Sequence, residues 1–296
     1  MNGRARISRK FLLDIVLGVL LPLSISFLAF WRIFTAPGFI LYWDMAFNYD
    51  LSSFFYKVTQ TWNWYGSTLG GLQGTTAYLW MLGFMVPYWL GCPADLSEKL
   101  WLLQNYALVG IFMYFAMRIL LPKGNNKLVH YGSCVVASLC YMLSKPIFTQ
   151  LAAQIRILSS AAVPITIALY VKTLGENRNV LRNSVLTVVA ITLVMLFEPL
   201  LLLTLIVLCI YQLYKTVNSR ENRIKTFLAD LKRDLLIVTM FVLININWFL
   251  MQSISLGVLG YFVPHESALM PQVGLVPSVS DGQRMDLTLI KILTLD

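Results

Sequence analysis

Charge is scarce in this sequence. Only 12% of its 296 residues are Asp, Glu, Lys or Arg, about half the share carried by soluble domains. With 58% hydrophobic residues, a soluble fold could not cover its apolar surface. That excludes a disordered chain and an ordinary soluble enzyme. Cysteine is equally thin. Four thiols make no disulfide framework; Cys134, Cys140 and Cys209 lie inside apolar runs and Cys92 stands in a loop, so they read as small hydrophobes. The two histidines, His130 and His265, are far apart, and no His/Cys/Asp cluster has metal-ligand spacing. A phosphate-cradling glycine loop and a nucleophile elbow are also missing. The net charge of +9 does not indicate nucleic acid, because the basic residues punctuate the gaps between hydrophobic runs instead of lining one face.

What the chain has in quantity is runs long enough for a bilayer, whose hydrocarbon layer takes roughly 20 apolar residues. Eight candidates stand out: residues 11–31, 74–91, 100–121, 129–144, 155–171, 184–197, 199–214 and 235–252. Arg4, Arg6, Arg9 and Lys10 precede the first. That run is longer than the apolar core of a signal peptide, which spans about 7–15 residues, so it reads as an uncleaved anchor with a cytoplasmic N-terminus. If all eight runs crossed, the basic loops 118–130, 172–182 and 215–234 would face outward, against the positive-inside rule. If residues 74–91 do not cross, those loops join the N-terminus and 16 of the 23 Lys/Arg become cytoplasmic. Residues 74–91 also hold Pro87, follow Gly66, Gly70, Gly71 and Gly74, and carry Tyr78, Trp80, Tyr88 and Trp89, which suit the headgroup level. The expected fold is therefore an all-α polytopic membrane protein with about seven transmembrane helices. One further interfacial or re-entrant helix lies at 74–91, and the first extracytoplasmic loop is long. Residues 1–255 form this module and 256–296 an extracytoplasmic tail. No internal repeat, heptad pattern or low-complexity segment is present. The last residues, LTLIKILTLD, have no stop logic, so the chain reads as the N-terminal part of a longer protein.

The first outer loop is the place for chemistry. From residue 37 to 74 it contains two acids, Asp44 and Asp50, among Tyr42, Trp43, Phe47, Tyr49, Trp62 and Trp64. Residues 50–61 have the apolar spacing of a helix lying on the membrane, with Asp50 or Asn48 as its N-cap. A carboxylate can take a proton from a hydroxyl within hydrogen-bonding distance, and aromatic walls that exclude water raise its pKa toward neutrality. Asp44 and then Asp50 are the catalytic candidates, with Trp62 and Trp64 as substrate contacts. The plain alternative for Asp44 is a solvated acid or a helix cap.

Other polar residues qualify by position. Arg156 and Lys145 sit in the second outer segment; a guanidinium fork suits phosphate oxygens, although an arginine here also serves as a snorkelling boundary marker. Glu198 between two apolar runs must face a cavity or water, or simply start a helix with Pro199 in its first turn. His265 falls in the last outer stretch beside Glu266 and is a candidate acceptor contact. Asp14 reads as structural. Gln104, Asn105, Asn245 and Asn247 read as interhelical hydrogen-bonding groups.

The order of basic N-terminus, one span and a long outer loop with an early Asp resembles the GT-C glycosyltransferases. YWDMAFNYD (42–50) and TWNWYGS (61–67) resemble the first loop of prokaryotic members related to arabinofuranosyl- and mannosyltransferases. Residues 140–167 look like their third helix, outer turn and fourth helix; NINWFL (245–250) is similar to the outer end of their seventh. The likeness spans about residues 1–255. It implies a polyprenyl-phosphate sugar as donor and a glycan, lipid or protein as acceptor, within the cell membrane. It makes Asp44 the general base. Many members carry a second acidic motif in the next outer loop, whereas residues 144–156 here contain no Asp or Glu. That departure argues against a bound metal and leaves a divalent cation open as cofactor, beside a metal-free site. A lipid or solute transporter or flippase, and a non-catalytic GT-C-like membrane partner, are the alternatives. Carriers usually show mid-span charges and repeats, and this sequence shows neither.

Overall fold

Each of the eight apolar runs contains a helix. The computed structural model describes residues 9–38, 76–122, 126–149, 154–176, 178–219 and 223–246, all within the unit Met1–Met251. Among the described residues every regular element is helical. In chain order they are α1 (Arg9–Ile15), a π-helical turn (Val16–Leu20), α2 (Leu21–Thr35), α3 (Thr76–Trp89), α4 (Ala94–Leu120) and α5 (Lys127–Met142). There follow α6 (Lys145–Thr149), α7 (Gln154–Gly175), α8 (Val180–Val194), α9 (Glu198–Val217) and α10 (Arg223–Ile244). Among the described residues four helices are long and apolar enough to cross a membrane: Lys10–Thr35, Ala94–Leu120, Arg156–Gly175 and Pro199–Val217. α3 has 14 residues, about 21 Å, which is short of the ~30 Å hydrocarbon layer.

The helix ends follow from local chemistry. Pro199 stands in the first turn of α9, where a missing N–H costs nothing. Asn126 caps α5, its side chain accepting from the backbone N–H groups of Leu128 and Val129. Between α3 and α4 the chain reverses at Gly91, whose φ of +92° is a left-handed conformation that glycine adopts freely. Hydroxyls inside the apolar layer need no partner helix. Ser26, Thr166, Thr187 and Thr204 each donate to the carbonyl four residues earlier, at 2.7–2.8 Å.

α4 is the central helix. It packs on α2, α3, α5 and, most extensively, α7. Small residues permit this closeness. Gly18 in the π-helical turn lies so near Tyr114 that a Cβ there would meet the ring at 2.5 Å, and one at Gly110 would overlap the Met142 thioether. Cross-helix hydrogen bonds lock the same layer: Ser138 to the Gly110 carbonyl at 2.8 Å and Tyr106 to the Met142 carbonyl at 2.9 Å. A second cluster, Tyr170, Leu174, Val188, Ile191, Leu208 and Ile237, joins α7 to α8, α9 and α10. The outward faces of α9 and α10 are almost wholly apolar; Leu202, Ile210, Leu235 and Leu243 are each more than half exposed. Such a continuous apolar surface suits lipid, not water.

Contacts sort the helix ends into two groups. One end of the bundle gathers Asp14, Arg118 and His130, and Lys215, Asp230 and Arg233. We call it the basic end. Ala36, Lys99, Arg156, Phe197 and Asn245 mark the opposite one. α10 departs from expectation. Its helix starts at Arg223, about three turns before the apolar run at 235. The expected loop is helical because Ile224, Phe227, Leu228 and Leu231 keep an apolar helical face and its charges find partners.

Candidate functional site

The end opposite the basic one carries the residues expected to act. Arg156, in the first turn of α7, is exposed. Its guanidinium lies 5.1 Å from the centre of the Phe197 ring, a cation–π distance, and among the described residues it makes no ion pair. Phe197 is the residue before α9, which starts at Glu198 with Pro199 behind it. The structure therefore brings Arg156 to the turn that carries Glu198. Lys145 is exposed and opens the five-residue helix α6; Ile147, two residues on, is buried and anchors that short helix. Tyr141 donates to the Ser160 carbonyl at 2.7 Å, tying the end of α5 to α7 beside this turn. Asp44, Asp50, Trp62, Trp64 and His265 lie outside the described residues.

Two further polar features lie at this end. Glu98 and Lys99, on the first turns of α4, are almost fully buried, at 1% and 4% exposure. The Lys99 ammonium donates to the Ala36 carbonyl at 2.5 Å and lies 3.8 Å from Asp95. Lys99 thus clamps the residue that follows α2 against the start of α4. Asn245 is the second. It donates to Thr192 Oγ1 at 3.1 Å and to the Phe241 carbonyl, as expected of a polar group between apolar helices, while among the described residues none donates to its buried Oδ1.

A third polar group lies nearer the basic end. A cavity of about 310 Å³ runs between α9 and α10, closed behind by Tyr170 and Ile191. Its lining is hydrocarbon except at one end. There Asp234 accepts from the Tyr170 hydroxyl at 2.9 Å and from the Gln212 amide at 2.5 Å. The neighbouring charges engage one another. Lys215 reaches both Asp230 oxygens, at 2.7 and 2.8 Å, and the Leu174 carbonyl at 2.7 Å. Arg233 also bonds the Leu174 carbonyl and lies 3.8 Å from Asp230. The signal for this cluster was present as an Asp pair one helical turn apart, at 230 and 234, ahead of an apolar run.

No family model, curated protein or solved structure matches the chain. Among the described residues no group of three or more His, Cys, Asp or Glu could hold a metal ion.

Proposed function

We propose that this chain is a membrane glycosyltransferase that moves a sugar from a polyprenyl-phosphate donor to an extracytoplasmic acceptor. Seven helices cross the bilayer in this reading, with the basic end in the cytoplasm, Arg156 outside and α3 dipping from the outer face. Asp44 takes the proton of an acceptor hydroxyl. The acceptor oxygen then attacks the anomeric carbon, the bond from that carbon to the phosphate oxygen breaks, and the polyprenyl phosphate leaves with the electron pair. Arg156 holds that phosphate and offsets its growing charge.

The observation that carries the reading is Arg156: an exposed guanidinium set on the Phe197 ring at the start of α9. A boundary arginine serving only to snorkel would need no such seat. The Lys99–Ala36 clamp supports it as well, since the loop with Asp44 leaves the bundle at the same end. A specific observation favours a second reading, that of a lipid carrier: the ionisable Asp234 faces an apolar cavity, as carrier sites do.

Purified protein in liposomes with a radiolabelled polyprenyl-phosphate sugar separates the two. Transfer releases polyprenyl phosphate and labels the acceptor, whereas a carrier moves the donor intact. We expect Arg156→Ala to lower kcat/KM for the donor ten- to a hundredfold, the worth of a charged hydrogen bond of about 1.5–3 kcal/mol. Unchanged kinetics would return Arg156 to the role of a boundary marker.

A further inference from the structure

We propose that the cavity between α9 and α10 binds the hydrocarbon chain of a membrane amphiphile whose ammonium headgroup pairs with Asp234. This site is separate from the sugar-transfer reading and does not rest on it. The volume, about 310 Å³, lies at the lower end of the range for small-molecule pockets. Leu201, Leu205, Ile237 and Phe241 give it hydrocarbon walls. Its lips are apolar too: Leu205 is 42% and Val238 55% exposed. The ligand therefore arrives from the lipid phase and brings its own apolar tail.

The head is selected by charge. Asp234 receives two neutral donors, the Tyr170 hydroxyl and the Gln212 amide. Among the described residues no lysine or arginine nitrogen comes within the 4.0 Å of an ion pair. Lys215 is taken up by Asp230 and the Leu174 carbonyl. A carboxylate in such surroundings is costly until a cation meets it. An anionic head would be repelled, and an alcohol would add one ordinary hydrogen bond. An ammonium adds a charge-assisted bond.

The test measures binding of radiolabelled hexadecylamine to the full chain in maltoside micelles, with hexadecanol and hexadecanoate as competitors. The amine should bind about ten- to a hundredfold tighter than the alcohol, the worth of a charged over a neutral hydrogen bond, and the carboxylate should bind most weakly. Asp234→Asn keeps the shape of the side chain and should reduce the amine to the level of the alcohol. Leu205→Trp fills the cavity from an exposed position and should weaken amine binding with Asp234 intact. That variant decides the matter if Asp234→Asn does not fold. Equal affinity for amine and alcohol, a preference that survives Asp234→Asn, or full binding in Leu205→Trp would each overturn the proposal. So would exclusion of all three probes, the outcome if a helix of another chain or a part of this one fills the cavity.

Discussion

Asp230→Ala should lower the unfolding free energy by about 3 kcal/mol, at the low end of the cost of breaking a buried ion pair. Asp230 is 2% exposed and Lys215 26% in the side chain, so the stranded ammonium recovers part of its hydration. It loses both carboxylate oxygens, and Arg233 loses its neighbour at 3.8 Å. The damage spreads because Lys215 and Arg233 also donate to the Leu174 carbonyl, one of the last four of α7, which have no N–H donors of their own in the helix. The pair therefore joins three helices, α7, α9 and α10. Titration of the purified protein with SDS in mixed micelles, read by loss of helical circular dichroism, gives the measurement. Replacing both members, Lys215→Met with Asp230→Leu, should cost less than Asp230→Ala alone, because the Lys215 ammonium is then not left without its carboxylate. A double variant as weak as or weaker than the single one would show that these residues contribute something other than mutual neutralisation.

Helices were legible in this sequence because a bilayer leaves few alternatives: backbone groups in hydrocarbon must be satisfied within the segment. All eight apolar runs carry helix for that reason. Their limits were less legible where polar residues continue a helix past the apolar run. α4 starts at Ala94, not 100, with Asp95 in its first turn, a favourable place for an acid at the positive end of the helix dipole. α10 starts at Arg223 because the partners of its charges lie on other helices, and single-chain spacing cannot reveal them. The same cause hid Asp234. Its meaning depends on Tyr170, which is 64 residues away in sequence. Arg156 was legible as a boundary cation, but its seat on Phe197 required the packing of α7 against the start of α9.

Asp44→Asn should reduce transfer from the lipid-linked sugar about a hundred- to ten-thousandfold, the usual contribution of a positioned general base. The amide keeps the volume of the side chain and loses only the capacity to take a proton. Membrane insertion, the SDS midpoint and donor binding should stay near the parent values, and the fall should appear in kcat. The acid's surroundings in YWDMAFNYD, with Tyr42 and Trp43 before it, argue for a water-poor base. Asp50→Asn is the control, with a smaller effect expected from its reading as a helix cap. Full turnover in Asp44→Asn would remove the residue from the mechanism.

Both sites take their meaning from the side of the membrane each end of the bundle faces. The basic end holds Arg118 and Lys215, and the opposite end Arg156 and the clamp at Lys99. A topology reporter inserted after Leu121, just past the last turn of α4, reads this orientation directly. A cytoplasmic signal is the expected result, with Arg156 then facing outward. An external signal would invert the bundle and contradict a sugar-transfer site outside the cell.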